Sequence, residues 1–451
     1  MKWWKILSAA AVFSLATSAA FAAPSVKLSR DTFDIAEAVN DEILAQVKAD
    51  VDKVDQAKLG FKLSKIKDED LARLCEAYPN IVNLQISGDG VTSLAPVAGL
   101  KGLQGLNLSG TMVVDLLPLA GLTEMRSLDL SAKFTTPDLK WMSGMTKLTK
   151  VSIKGGDSRL LTSLEGIPPL PGLKEFYLQN AAPVDLSPMV NSLPALEKLT
   201  LFWCTLQDLT PLTKLENLND LNLYGSTVKD FSPLAGCPKL AKLMYYATKD
   251  SDYSTLGKLT QVRELKGGLT ELNDISWVEN LPNLRKFDVF SEKITDYSPL
   301  AKARVEDFQI WNMSAPADLK TLSGAVSLKK LRLLSCKRLS GFEGLGSLVN
   351  LEDLTLQGMN AKDGSPVDMA FAKSLVNLKN LEITSSEISN FDAVAGCAKL
   401  EDVSIDAKTT GITSLAALKK LPNLRRVTVS KGLFPDAELA GFDAKVKINQ
   451  R

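Results

Sequence analysis

Apolar residues recur along this chain in a fixed unit: one, a second three positions on, and a third two positions after that. The unit is plainest in Leu218, Leu221, Leu223 and in Leu351, Leu354, Leu356. Between Ile81 and Val429 it occurs sixteen times, starting at 81, 103, 125, 148, 173, 196, 218, 240, 262, 284, 305, 328, 351, 378, 400 and 424. Successive starts lie 21 to 27 residues apart, and 22 is the commonest gap. Apolar and variable positions alternate inside the unit, which predicts a short strand with one face buried. A period of this size predicts a leucine-rich-repeat solenoid, an α/β array of about 16 coils, each burying its apolar side chains only against its neighbours. The strands would form one curved parallel sheet on the concave side, with short 3₁₀ or α turns returning along the convex side.

Proline supports the return path. Six units place it fifteen residues after their start, at Pro96, Pro118, Pro188, Pro211, Pro233 and Pro299. There it opens a helical turn without losing a needed N–H, and its φ is preset. The longest unit, Leu351 to Leu375, leaves room for a longer helix near Asp368 to Leu375. Outside the repeats the pattern changes. Residues 23–80 carry a helical stripe (Ile35, Ala36, Val39, Ile43, Val47, Val51, Val54) and a second around Leu71, Leu74 and Cys75, predicting a helical N-terminal cap over the open end of the core. Residues 81–430 are the solenoid, and 431–451 are expected to cap its other end, with Val446 to Ile448 as a closing strand.

Residues 1–22 read as a signal peptide. Lys2 and Lys5 supply the charged start, Ile6 to Thr17 the apolar stretch, and Ala20-Phe21-Ala22 a cleavage site before Ala23. The apolar run is too short to span a bilayer, so the expected product is periplasmic or secreted, with no membrane insertion once the signal is cleaved. Export permits disulfides, yet the five cysteines fall on positions too far apart to pair. Cys204 and Cys336 are six coils apart, about 29 Å at strand spacing. Five buried small hydrophobes, no bridges and no metal cluster are expected.

Charge and composition narrow the chemistry. The 53 basic and 52 acidic side chains nearly cancel, so no bulk attraction to nucleic acid or to an anionic membrane arises. Histidine is absent from all 451 residues, which removes Ser-His-Asp and Cys-His catalysis and histidine metal sites. No cofactor motif is present, and the chain reads as a non-enzyme.

The units LNDLNLYGSTVKDFSPLAGC (218–237), LEKLTLFWCTLQDLTPLTKL (196–215) and LQGLNLSGTMVVDLLPLAGL (103–122) resemble the 22-residue repeats of internalins. The resemblance covers roughly residues 81 to 429, and the Asp-x-x-Pro-Leu segment is its most specific part. It implies a bacterial surface or secreted protein that binds a partner such as a host receptor, with a part in virulence. The Asn that internalins carry eight residues into each unit is replaced here by Asp89, Thr111, Lys133, Gly156, Ala181, Cys204, Ser226 and Thr248 in the first eight units. Small polar or thiol groups are expected to take over some of its hydrogen bonds. The chain also shows no wall-sorting motif, wall-binding module or immunoglobulin-like segment after the repeats.

The outward column six residues after each start is the most uneven. It reads Ser87, Ser109, Ser131, Lys154, Gln179, Phe202, Tyr224, Tyr246, Gly268, Phe290, Trp311 and then Leu334, Gln357, Thr384, Asp406 and Ser430. Only 6% of residues are aromatic, yet five of the six positions from Phe202 to Trp311 are. That stretch would run about 24 Å along the sheet. Tyr177 and Trp203 lie beside it. Rings on neighbouring strands shield one another, which accounts for part of the stripe. A solvent-facing column that turns aromatic and back again also marks a binding surface. Gly268 interrupts the rings and either leaves a notch for a ligand or, with Gly267 beside the inward Tyr245, reflects an exchange of core volume. The column at offset two alternates in sign from Lys150 through Glu175, Lys198, Asp220, Lys242, Glu264, Lys286, Asp307 and Lys330 to Asp353, a register device worth perhaps ~0.2–1 kcal/mol per pair.

These features predict a monomeric interaction protein that binds a protein ligand, from a host or from its own envelope, through Tyr177, Phe202, Trp203, Tyr224, Tyr246, Phe290 and Trp311. Glycan binding, since aromatic faces stack on sugar rings, and a structural envelope role are the alternatives. A carboxylate-dependent hydrolase would instead need a deep cleft holding two close carboxylates without a Lys partner.

Overall fold

The computed structural model describes residues 26–451 apart from 133–137, 156–163, 182–184, 207, 247–250, 269–270, 312–316 and 362–363. The signal segment, residues 1–22, therefore lies outside the described residues. Each of the sixteen units opens with a strand, among them Asn83–Ser87, Asp220–Leu223, Lys286–Phe290 and Arg426–Val429. The strands pair in parallel with like position beside like position. Leu221 stands between Leu199 and Leu243, and Asp220 between Lys198 and Lys242. The start of each strand is anchored on the preceding coil. Glu197 and Lys198 N–H both donate to the Lys174 carbonyl at 2.9 Å, and Arg285 and Lys286 N–H do the same to the Arg263 carbonyl at 2.8 and 3.0 Å.

Leucines such as Leu218, Leu221 and Leu223 are fully buried, and return segments such as Leu209, Leu212, Leu215 and Phe231, Leu234, Cys237 close the core behind them. All five cysteines are buried and unbridged. No helix among the described residues is long and apolar enough to cross a membrane.

Short 3₁₀ turns carry the chain back along the convex side, including Leu117–Leu119, Thr210–Lys214, Ser232–Gly236 and Ser298–Ala301, each with its proline in the first turn. The aspartate of Asp-x-x-Pro-Leu sets where each turn begins. Asp208, Asp230 and Asp296 accept from the N–H two residues on, at 2.8, 2.7 and 2.8 Å. The longest unit has no longer helix. Its turn, Met369–Ser374, equals Tyr253–Lys258 in length, because Asp368 caps it in the usual place by accepting from Ala370 N–H at 2.8 Å. The extra residues lie between the short strands Asn360–Ala361 and Val367–Asp368.

The sheet has twenty strands and runs past the sixteen units at both ends. The N-terminal cap is not purely helical as its stripe suggests. Val26–Ser29 and Thr32–Ile35 form an antiparallel hairpin, and Thr32–Ile35 pairs in parallel with Gly60–Ser64, which pairs with Asn83–Ser87. α-Helices occupy Asp41–Asp50 and Asp68–Ala77, and single 3₁₀ turns Val51–Lys53 and Gln56–Lys58. The helix start is set by Asn40, which accepts from Ile43 N–H at 2.9 Å, and Phe33 and Ile35 alternate into the core as a strand requires. Buried Asp70 ties the cap together, accepting from Val39 N–H at 2.7 Å and Lys67 N–H at 2.9 Å. At the far end the helix Asp436–Ala440 precedes a closing strand, Lys447–Gln450, parallel to Arg426–Val429.

Candidate binding face

In eight units among the described residues the chain turns sharply outward where the strand ends, and the residue seven positions after the unit start takes a left-handed conformation to do so. Glycine fills this column at Gly88, Gly110, Gly225 and Gly358, and the small polar Asn180, Ser335 and Ser385 at three others. Glycine adopts positive φ at little cost, and asparagine more readily than most other residues. Trp203 stands in the same column with φ of 53°. A bulky aromatic held there is an outlier among protein backbones. Its N–H donates to the Tyr224 carbonyl at 2.8 Å, and its indole lies over Gly225, where an added β-carbon would collide with the ring. The next position stabilises the turn. Ser226 Oγ accepts from Cys204 N–H at 2.9 Å and donates to the Leu201 carbonyl at 2.7 Å, and Ser386 Oγ accepts from Met359 N–H at 2.9 Å. Cys204 and Cys336 direct their thiols at the Leu178 and Ile310 carbonyls at 3.7 and 3.8 Å. Small polar and thiol groups thus stand in for the internalin asparagine.

Three rings of the offset-six column and Tyr177 at offset four meet in a ladder. Tyr177 stacks on Phe202 at 6.4 Å, Phe202 stacks on Tyr224 at 4.7 Å with the planes 4° apart, and Tyr246 lies tilted by 41° against Tyr224 at 4.1 Å. Trp203 also stacks on Phe202, at 5.7 Å. Tyr177, Phe202, Tyr224, Tyr246 and Phe290 are half-buried, whereas Trp203 and Trp311 are 54% and 47% exposed. Phe290 and Trp311 face each other across adjacent strands. Gly268 leaves no open notch, because the Tyr246 ring lies over it and occupies the place of a side chain. Inside the core the other exchange is also present: Tyr245 packs edge-on against Phe231 at 4.3 Å, beside Gly267.

Alternating charges at offset two pair across strands at Lys150–Glu175 (3.0 Å), Lys198–Asp220 (3.7 Å), Lys242–Glu264 (3.3 Å) and Lys330–Asp353 (3.0 Å). The signs keep alternating beside Trp311, but the pairing changes there. Asp307 is held by Arg332 at 2.7 Å, and Lys286 turns to Asp288 on its own strand at 3.8 Å. Burial pushes the Asp288 carboxyl above the usual carboxylate range, partly offset by the positive charges of Lys286 and Arg332. The Tyr246 phenol is raised as well, chiefly by burial and then by the charges of Tyr224 and Asp288.

Among solved structures, the TLR13-ssRNA13 complex matches 87% of this chain and 56% of its own at 18% identity, with a TM-score of 0.53. An internalin from Listeria monocytogenes matches over 78% of this chain and 88% of its own at 20% identity (TM-score 0.41), and a leucine-rich-repeat protein of Leptospira interrogans over 92% and 99% at 16% (TM-score 0.45). The chain is a leucine-rich-repeat solenoid. No protein-family model matches the sequence, and no curated protein does.

Sequence reasoning about the solenoid's face overlooked two things. Asp288 sits at offset four, a column that varies freely, and its burial depends on the particular side chains gathered around it on its own and nearby strands. The left-handed column was visible as recurring glycine at offset seven, a signal that would have singled out Trp203 for its backbone as well as its ring.

Proposed function

We propose that the protein is an exported interaction protein that captures a protein partner on its concave face between Tyr177 and Trp311. The observation that carries this reading is Trp203. A tryptophan stands in a backbone position suited to glycine, and its indole is more than half exposed at the side of the ring ladder. Exposed aromatic side chains held rigid by their neighbours supply binding energy with little entropy to lose. The TLR13 solenoid, similar in fold, is described in complex with ssRNA13. Here 53 basic against 52 acidic residues give no bulk attraction to nucleic acid, which favours a protein as ligand. Export rests on the charged, apolar and small-residue sequence of residues 2–22 and is checked by sequencing the N-terminus of the mature protein.

The binding reading is tested by cross-linking the native protein to its partner in envelope and medium, identifying that partner, and measuring its affinity for the parent and for a variant with Tyr224, Tyr246 and Trp311 replaced by Ala. Removal of three ring anchors is expected to weaken binding by a factor of roughly ten or more. Equal affinity would remove the ring face from consideration.

A further inference from the structure

Beside the ring ladder lies a small cleft with a chemical demand of its own. It is about 40 Å³ in volume and is lined by Tyr246, Lys266, Gly267, Asp288, Phe290 and Trp311, among others. Asp288 projects from the middle of the strand Lys286–Phe290, between Lys266 on one neighbouring strand and Gln309 on the other. It is 6% exposed, and its Oδ1 has no hydrogen-bond partner. The groups that could serve it stand off. Arg332 Nη2 is 4.0 Å from Oδ1 and is engaged with Asp307 at 2.7 Å, while its Nε donates to Gln309 Oε1 at 2.7 Å. Lys286 Nζ is 3.8 Å from Oδ2. Lys266, exposed at the rim, and Tyr246 complete the titratable groups that face the carboxylate.

A buried carboxylate oxygen without a donor is costly, and the cost falls when a charged donor arrives. A cavity of about 10–15 Å³ already admits one water molecule, so the cleft takes a small polar head group such as an ammonium. The walls favour the same ligand, since the faces of tyrosine, phenylalanine and tryptophan attract cations.

We propose that this cleft receives the ammonium group of a lysine side chain on the protein partner, with Asp288 as its counter-ion and Tyr246, Phe290 and Trp311 around it. This inference rests on the concave face being the docking surface and adds one specific contact to it. The incoming ammonium takes the free oxygen of Asp288, and Lys286 swings back toward Asp307, its neighbour in the alternating column. The pocket must hold an ionised Asp288 to work. Burial raises that group's pKa, so lysine binding weakens as pH falls through the raised value.

The test uses two small probes on the whole protein: Nα-acetyl-lysine N-methylamide and the uncharged Nα-acetyl-norleucine N-methylamide, followed by saturation-transfer NMR. The lysine probe binds and the norleucine probe does not. Asp288→Asn, which keeps the shape of the side chain, lowers lysine-probe affinity by about tenfold or more, as expected for loss of a charged hydrogen-bond partner. Trp311→Ala, a surface change that leaves the core intact, weakens it by a smaller factor. Equal binding of both probes, or unchanged affinity in Asp288→Asn, overturns the proposal and leaves the cleft as a site for water. The identified partner separates this inference from the broader one. Its capture by Asp288→Asn at parental affinity, with loss in the ring variant, would sink the lysine contact and leave the docking face standing.

Discussion

The indole of Trp203 fills the space that a side chain at position 225 would need. Gly225 has φ of 68° and Trp203 φ of 53°, so two consecutive coils turn the same way at the same point and one supplies the ring that covers the other. Replacing Gly225 by Ala forces a β-carbon into the indole and strains the backbone. A loss of about 1–3 kcal/mol is expected, read as a lower midpoint in urea, together with altered Trp203 fluorescence.

Trp203→Gly tests the opposite side of the same contact. Relief of the left-handed strain and loss of the stacking on Phe202 oppose each other, so stability should stay within about 1 kcal/mol of the parent. Partner affinity should fall. A large drop in stability with binding intact would make the indole a structural wedge only.

Asp70→Ala removes the acceptor for two backbone N–H groups, Val39 and Lys67, inside the N-terminal cap. A loss on the order of 2 kcal/mol is expected. Hydrogen exchange should show it concentrated between residues 26 and 80, since coils in an array are coupled mainly to their neighbours.

Acid should loosen the convex turns. The Ser187 and Ser232 N–H groups hold the Asp185 and Asp230 carboxyls below their ordinary value. A depressed folded value means these caps contribute stability above about pH 4, the unfolded carboxylate value, and lose it as pH falls through the lower folded value. Asp288 runs the other way. Its raised value means that ionisation costs stability as pH climbs from about 4 through the folded value. Asp288→Asn should therefore raise the melting temperature at pH 7 and leave it unchanged at pH 3; a gain at both would trace to packing instead.

The cysteines should be inert in the folded protein. Burial pushes the Cys75 and Cys397 thiols up to about 12 and Cys237 to about 11, leaving little thiolate at neutral pH. An aromatic disulfide reagent should label none of the five before unfolding and all five after it, and a reductant should leave the melting temperature unchanged.

Much of this protein lies open in its sequence. Leucines spaced by three and two fix a strand and its inward face, and a 22-residue period places each coil on the last in unshifted register, so Lys198, Asp220 and Lys242 could be aligned by counting alone. The Asp-x-x-Pro-Leu turns follow from local hydrogen bonding of one side chain to the backbone two residues on. Other features were legible only in part. Asparagine one residue before the unit start recurs at Asn217, Asn283, Asn350, Asn377 and Asn423, and its Nδ2 donates to a carbonyl of the preceding coil at 3.0, 2.9, 2.9, 2.8 and 2.9 Å. The recurrence is in the sequence, but its partner is chosen by the stacking.

What sequence alone determined is therefore whatever repeats: the strand positions, the register, the buried thiols and the column of rings. What tertiary structure decided is whatever depends on side chains reaching across strands. The N-terminal stripe could serve helix or strand, and the growing sheet edge claimed part of it as a hairpin. Gly268 could open a notch or accept a neighbour, and the Tyr246 ring settled it. Asp288 could face water like the rest of its column, but the bulk around it closed over the carboxylate and left one oxygen without a donor. Periodicity carries strand position and register; burial of an outward side chain such as Asp288 is set by the individual volumes of the side chains around it, which the repeat does not encode.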